Sequence, residues 1–291
     1  MPHVYFGLAP NTAELEAVRL AKPACLLVSY AYWKHKRLDW LIERIGYRPR
    51  IFVDSGAFTF YNQGTNTHFG DFMDFFQTQW SVEPRLVLSF VNDLRYNSDV
   101  GIDDDVETDP LSAKLINNVF VDYVDWLLVN RSWIDHVVAF DHIQSPEKSH
   151  YAFLLMQHLG VHLIPAFHLG SPMDALDQLI DAGASYIGLG GMASKRIRMQ
   201  DKANFVNACI DRYPSVPFHF FGSLDYHLWR KIPRIHSVDG QSWLPTFQAN
   251  IKPGETKVTQ GAMNLAQKEQ MASTWSSWYP STTTSARTSC P

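Results

Sequence analysis

The chain has 291 residues, 46% of them hydrophobic, and a formal net charge of −4. This length allows a sizeable core without covalent staples, and the mild acidity argues against a globally basic nucleic-acid coat protein. The three cysteines are far apart and form no CxxC or C-x-C pair, which speaks against a disulfide framework or a cysteine zinc site and favours a reducing cytoplasm.

Short apolar runs and helix-like stretches alternate along the chain. Each run has the length and composition of a parallel strand that is buried on both faces. The eight runs are 26–30, 51–54, 86–90, 137–141, 163–167, 186–189, 218–221 and 235–239. The helix-like stretches are 39–45, 71–80, 110–128, 147–159, 173–182, 201–213 and 225–231.

This alternation predicts the fold class. Eight parallel strands with helical crossovers close into a (β/α)8 TIM barrel, an α/β fold, which we expect as a single domain. An open doubly wound sheet is the alternative. We assign residues 1–250 to the barrel and residues 251–291 to a C-terminal extension. The Ser- and Thr-rich residues from about 273 onward predict a poorly ordered tail.

Three carboxylates stand at strand ends: Asp54 on the second run, Asp141 on the fourth and Asp239 on the eighth. Side chains at the carboxyl ends of barrel strands share one pocket. We expect Asp54 and Asp239 two strand spacings apart, roughly 10 Å. Two such carboxylates can act as nucleophile and acid/base across an oxocarbenium-like transition state. For each aspartate alone, capping of the following helix is the alternative.

Glycine-rich, aromatic and basic residues accompany these tips. The sequence GLGGM at 188–192 exposes backbone that can approach a planar ligand, or makes a tight turn or a phosphate loop. Phe58 can stack on a base or belong to the core. Basic side chains after the runs are candidate phosphate contacts or ordinary solvated charges: Lys34, Lys36, Arg37, Lys195, Arg196, Arg198, Arg230, Lys231 and Arg234.

Taken in order, three motifs resemble the tRNA-guanine transglycosylase superfamily: DSGAF at 54–58, GLGGM at 188–192 and SVDGQSW at 237–243, with Asp141 between the first two. The likeness runs from about the second run to Trp243. It is greatest to the phage-type deoxypurine-in-DNA transglycosylases, which insert 7-deazaguanines into DNA.

The resemblance implies a function and a role for each matching residue. The expected function is exchange of guanine in DNA for a 7-deazaguanine base, by a pentosyltransferase with a covalent Asp-glycosyl intermediate. Asp239 would be the nucleophile and Asp54 the general acid/base. The residues expected to bind the base are Ser55, Gly56, Phe58, Asp141, Gly190, Gly191 and Met192, and those expected to contact phosphates are Lys195, Arg196 and Arg198.

The sequence also departs from the bacterial tRNA enzymes of that superfamily. Ala57 stands where they carry glycine, Thr59 where they carry glutamine, and their zinc site of three cysteines and a histidine is absent. We therefore expect DNA as partner, with tRNA as the alternative, and a free 7-deazaguanine base as co-substrate. We expect no cofactor, no metal and no membrane association, and leave a homodimer open. The expected location is the cytoplasm, that of the host if a phage encodes the protein.

Two other classes of function remain open. In a metal-dependent barrel hydrolase, a cluster of aspartates and histidines would hold the metal, namely Asp141, His168, His219 and Asp239. His219 is equally a candidate core histidine. A barrel that only binds nucleic acid or a purine is the non-enzymatic alternative, and three carboxylates that repel phosphate argue against it.

Overall fold

The computed structural model describes residues 3–62, 119–192, 194, 196–243 and 254–278. It is a (β/α)8 barrel built on parallel strands. The strands are β1 (His3–Leu8), β2 (Cys25–Ser29), β3 (Arg50–Asp54), β4 (His136–Val138), β5 (Leu163–Ile164), β6 (Ala166–His168), β7 (Ile187–Gly190), β8 (Phe218–Phe220) and β9 (Ser237–Gly240).

Helices connect the strands and cover the barrel. They are α1 (Thr12–Ala21), α2 (Tyr30–Trp33), α3 (Leu38–Ile45), α4 (Ala57–Asn62), α5 (Val119–Asn130), α6 (Pro146–Met156), α7 (Met173–Asp181), α8 (Met199–Arg212), α9 (Tyr226–Trp229) and α10 (Lys257–Trp278). Short 3-10 helices follow α5 and α6, at Arg131–Trp133 and Gln157–Leu159.

Local sequence explains where several helices begin and end. Asn11 caps α1 by accepting a hydrogen bond from the Glu14 N–H at 3.0 Å. Ser145 caps α6 in the same way, and Pro146 occupies the first turn, where its missing N–H costs nothing. Gly46 ends α3 with φ +75°, a left-handed conformation that glycine adopts without steric cost.

The sheet closes through one interrupted strand. Its order is β5-β4-β3-β2-β1-β9-β8-β7-β6, and only Pro165 separates the two end strands β5 and β6. The segment before Pro165 pairs with β4, and the segment after it pairs with β7. Counting β5 and β6 as one strand gives eight positions around the barrel. The predicted closed barrel is therefore confirmed.

The predicted order of strands around the barrel was wrong at its first position. The strand His3–Leu8 was not predicted, although it is a continuous apolar run, and it occupies the first position between β2 and β9. The predicted strand 86–90 and the predicted helix 71–80 lie outside the described residues. Because β1 precedes β2, Asp54 ends the third barrel strand instead of the second, and β3 pairs directly with β4.

Two apolar layers follow from the alternation of side chains along the strands. The barrel interior holds Tyr5, Cys25, Leu27, Phe52, Val138, Ile164 and Tyr186, with Phe221 packed against them. The residues between these positions, such as Val53 and Val137, belong to the larger layer between sheet and helices. Phe52 and Asp54 lie two residues apart on β3, so Asp54 points to the interior like Phe52.

The C-terminal region contains a long helix. α10 (Lys257–Trp278) packs against α1, with Leu265 fully buried. The predicted poorly ordered tail from about 273 therefore overlaps the end of a helix, and residues 279–291 lie outside the described residues. No helix in the described part of the chain has the length and apolarity needed to cross a membrane.

Candidate active site

Asp54 lies at the carboxyl end of β3, where its carboxyl group faces the mouth of the barrel. Burial, and next the repulsion from Asp141 and Asp239, raise its pKa from 3.8 to about 7. The nearby Ser29 hydroxyl and the Gly56 N–H oppose that rise. Near neutral pH, both protonation states of Asp54 are therefore populated.

The turn after Asp54 connects this aspartate to Asp141. The Ser55 hydroxyl is fully buried and donates to Oδ1 of Asp141 at 3.1 Å, while it accepts the Ala57 N–H at 3.3 Å. Gly56 has φ +78°, and a Cβ there would lie 2.7 Å from the Ala31 Cβ. The turn therefore requires glycine, and direct contact of Ser55 and Gly56 with a substrate stays a prediction.

Asp141 follows β4 and is nearly fully buried. Its Oδ2 atom lies 2.9 Å from Nε2 of His168, which stands at the end of β6. The ring of His168 fits only because residue 190 lacks a side chain: a Cβ on Gly190 would lie 2.7 Å from Nδ1. Three neighbouring strand ends thus hold Asp141 in place.

Asp239 lies on β9, on the opposite wall of the mouth. Its Oδ1 atom accepts the Gly222 N–H at 2.9 Å and lies 3.1 Å from Nε2 of the fully buried His219. Both hydrogen bonds involve Oδ1. Oδ2 is not one of the side-chain oxygens that are enclosed by the protein without a hydrogen-bond partner. The second oxygen is therefore accessible to a bound molecule.

The spacing of the two key aspartates differs from the prediction. In the sheet order β3-β2-β1-β9, Asp54 and Asp239 are three strand spacings apart instead of two. They point into the same interior from different walls, and Asp239 contributes to the raised pKa of Asp54. A small molecule in the mouth would have a carboxyl group on either side.

The four residues of the predicted metal cluster form two separate pairs. His168 binds Asp141, and His219 binds Asp239. Within the described ranges, no group of three or more His, Cys, Asp and Glu side chains is arranged to hold a metal ion. The alternative of a metal-dependent hydrolase therefore loses the ligand set on which it depended.

The glycine-rich tip at the end of β7 packs closely against neighbouring residues. Gly188 and Gly190 give room to the rings of Phe221 and His168 from the neighbouring strands. Gly191 has φ +77°, and a Cβ there would lie 3.0 Å from the backbone nitrogen of Leu169. The absence of a side chain at these positions is thus required by the packing of the protein itself, and the predicted backbone contacts of Gly190 and Gly191 to a planar ligand stay a prediction.

Met192 and Phe58 have opposite environments. Met192 is 2% exposed and belongs to the layer under the helices, and its contact with a substrate stays a prediction. Phe58, at the start of α4, is 57% exposed. Of the two, only Phe58 has a surface free for a ligand, and the idea that it is a core residue is wrong.

The predicted phosphate contacts lie near the start of α8. Lys195 lies outside the described residues, and Arg196 is exposed. Arg198 makes an exposed ion pair with Asp201 at 2.8 Å. Contact with a nucleic-acid phosphate stays a prediction for Arg196 and Arg198.

Sequence reasoning missed the partners that orient the carboxylates. Ser237 lies two residues before Asp239 on the same inward face of β9, and it pairs in register with His219. The alternation of side chains along residues 237–239, which places Ser237 and Asp239 on the same face of the strand, was the signal available in the sequence. Trp243, from the SVDGQSW motif, is structural: its indole N–H donates to the Gly7 carbonyl at 2.9 Å.

Comparisons with known proteins add a likeness of fold. This chain is similar to a ligand complex of KGPDC (3-keto-L-gulonate-6-phosphate decarboxylase) from Streptococcus mutans, at 10% identity and TM-score 0.45, over 94% of this chain and 99% of that chain. It is also similar to a second structure of KGPDC from Streptococcus mutans, at 9% identity and TM-score 0.46, over 93% and 98% of the two chains. No protein-family model and no curated protein matches the sequence.

These results contradict the resemblance drawn from the three motifs. The two structures named above are of KGPDC and neither is a tRNA-guanine transglycosylase, and no family model and no curated protein supports that superfamily. We therefore correct the predicted identification, together with the predicted exchange of guanine for a 7-deazaguanine base and the assignment as a pentosyltransferase. What remains is a (β/α)8 barrel with three carboxylates at its mouth.

Proposed function

We propose that this protein is an enzyme that performs general acid–base catalysis on a small polar molecule held in the barrel mouth. The observation that carries the proposal is the cluster of three aspartates at the strand ends around the mouth, in which burial and the two neighbouring carboxylates raise the pKa of Asp54 to about 7. A general acid or base works best when its pKa lies near the working pH. Strongly perturbed carboxyl groups in a cleft are also concentrated at functional sites.

The two facing aspartates would divide the work. Asp54 gives or takes the proton, because both of its protonation states are populated near pH 7. Asp239, whose Oδ1 is held by His219 and the Gly222 N–H, offers Oδ2 to the substrate. That oxygen would accept a hydrogen bond from a hydroxyl or amine, or stabilise a positive charge that develops in the transition state.

The charge of the mouth favours a particular class of substrate. Asp141 and Asp239 both raise the pKa of Asp54, so each places a negative potential where the substrate would lie. Such a potential attracts cations and hydrogen-bond donors and repels phosphate and carboxylate groups. We therefore propose an uncharged or cationic substrate, such as a polyol, a free sugar or an amine.

Solvent deuterium tests this proposal across whole classes of candidate substrate. The protein is incubated in D2O with pools of free sugars, polyols and amines, and separately with their phosphorylated counterparts, and mass spectrometry follows deuterium incorporation and new products. We expect turnover with the uncharged or cationic pools and at least a hundredfold loss in Asp54→Asn, because general acid–base catalysis contributes about 10²–10⁴-fold.

The control variant is Glu16→Gln. Glu16 lies on the exposed face of α1 and pairs with Arg19, so the variant removes a carboxylate without touching the mouth. It should keep the wild-type rate. Turnover confined to the phosphorylated pools, or full activity of Asp54→Asn, would contradict the proposal, and tight binding without any turnover would indicate a binding protein.

A further inference from the structure

A chain of hydrogen bonds runs through the barrel interior to Asp239. The hydroxyl of Tyr186 contacts the hydroxyl of Ser237. Oγ of Ser237 lies 2.5 Å from Nδ1 of His219, whose Nε2 lies 3.1 Å from Oδ1 of Asp239. All four residues are buried, with Ser237 and His219 fully enclosed. Asp239 thus contacts polar groups that extend well below the mouth.

Only one orientation of the donors satisfies every member of this chain. Tyr186 donates to Ser237, Ser237 donates to Nδ1 of His219, and Nε2–H of His219 donates to Asp239. In the reverse orientation, the tyrosine proton has no acceptor among the hydrogen bonds of the described residues. A buried donor without a partner costs about 1–3 kcal/mol, which favours the first orientation.

Aromatic packing holds the histidine ring in this orientation. Phe52 stacks on His219 with ring centroids 4.6 Å apart, and Phe221 packs against the ring in a T-shaped arrangement with centroids 4.7 Å apart. Burial raises the pKa of Tyr186, more than its hydrogen bond to Ser237 lowers it. The tyrosine therefore keeps its proton as the first donor of the chain.

We propose that Tyr186, Ser237 and His219 are positioning residues, a relay that keeps the proton of His219 on Nε2 and so holds Oδ1 of Asp239 while Oδ2 faces the substrate. This inference rests on the proposed acid–base function. It assigns a mechanistic role to a fully buried histidine that would otherwise count only as a core residue. A second group that sets the tautomer of a histidine is a common feature of active sites.

Nitrogen NMR of the histidine rings tests the relay directly in the intact protein. With 15N-labelled histidine, we expect His219 to be the Nε2–H tautomer in the wild type. Ser237→Ala, which removes the donor to Nδ1, should give a mixture of tautomers. Tyr186→Phe, which removes the first donor, should do so to a smaller extent. Both variants should lower kcat about tenfold and leave KM within about twofold.

Tyr5→Phe is the matched control. It removes the hydroxyl of another interior tyrosine that touches His219 but lies outside the chain of hydrogen bonds. It should preserve both the tautomer and kcat. An Nδ1–H tautomer in the wild type, or a Ser237→Ala variant that behaves like Tyr5→Phe, overturns the relay. Absence of turnover with the expected tautomer pattern instead overturns the proposed function, so the two failures are distinguishable.

Discussion

The raised pKa of Asp54 results from the surroundings of its carboxyl group. A carboxyl group in water has a pKa near 4, and at neutral pH it is a poor proton donor. Here burial is the largest cause of the raised pKa, and repulsion from Asp141 and Asp239 adds to it. The substitution Asp141→Asn removes one of these two negative charges and nearly keeps the size of the side chain.

Asp141→Asn should shift the pH dependence of the reaction to lower pH. In the wild type, we expect kcat/KM to change with an apparent pKa of about 7, the value for Asp54. Removing the negative charge of Asp141 lowers that pKa, and burial keeps it above the usual value of a carboxyl group. The measurement is kcat/KM against pH for the wild type, Asp141→Asn and the control Glu16→Gln. If the pH profile of Asp141→Asn is unchanged, the apparent pKa of kcat/KM belongs to a group other than Asp54.

Residues at strand ends were predictable to different degrees. Asp54, Asp141 and Asp239 were found because an aspartate directly after an apolar run stands out against its neighbours. His168 was considered only as a metal ligand, and His219 as a metal ligand or a core histidine. Their pairing with Asp141 and Asp239 depends on which strands are adjacent and in which register, and a single sequence does not contain that information.

At the scale of elements, the end of β7 shows how backbone and site depend on each other. Gly188 and Gly190 lie on the same face of the strand, two residues apart. Each leaves room for a ring, Phe221 at the first and His168 at the second. The first contact is part of apolar packing, whereas the second holds the partner of Asp141. Alanine at residue 188 should therefore affect stability alone, and alanine at residue 190 should affect both stability and the geometry of the site.

Gly188→Ala and Gly190→Ala should both lower the free energy of unfolding, by about 1–3 kcal/mol, because each added methyl group overpacks a filled space. Only Gly190→Ala should displace the His168 ring from Asp141. Urea unfolding measures the first effect, and the 15N spectrum of the His168 ring measures the second. A His168 signal that changes equally in both variants would show that the contact with Gly190 does not position the ring.

The elements themselves were predictable where the apolar pattern was strong. The runs that became β2, β3, β4, β7, β8 and β9 were found within a few residues, since parallel strands buried on both faces are continuously apolar. β1 was not predicted, although His3–Leu8 is largely apolar. α10 was partly taken for a tail, because composition suggested disorder and only packing against α1 reveals the helix.

At the scale of the whole molecule, the two ends of the barrel carry ionisable groups of opposite character. The mouth holds Asp54 and its neighbouring carboxylates. The opposite end holds imidazole rings, among them His136, whose Nδ1 lies 2.7 Å from that of His162. Burial, and next the repulsion from His162, lower the pKa of His136 from 6.5 to about 4. Both ends thus suppress a charge that the unfolded chain would carry.

These two groups change stability with pH in opposite directions. The pKa of Asp54 is raised by folding from 3.8 to about 7, so its contribution to stability is present below 3.8 and is lost as pH rises through 7. The pKa of His136 is lowered, so its contribution is present above 6.5 and is lost as pH falls through 4. Between pH 4.5 and 7.5, the two slopes therefore oppose each other.

Single variants should expose each slope. We expect the free energy of unfolding of Asp54→Asn, relative to the wild type, to increase by about 2 kcal/mol between pH 4.5 and 7.5, because the variant no longer ionises at the mouth. That of His136→Gln should decrease by a similar amount over the same range, because the variant no longer benefits from the neutral ring at high pH. Urea unfolding at several pH values measures both differences. If the free energy of unfolding of Asp54→Asn and of the wild type changes with pH in parallel, Asp54 has the same pKa in the folded and the unfolded chain. Parallel curves for His136→Gln and the wild type would show the same for His136, and the two ends of the barrel would then not have opposite effects on stability.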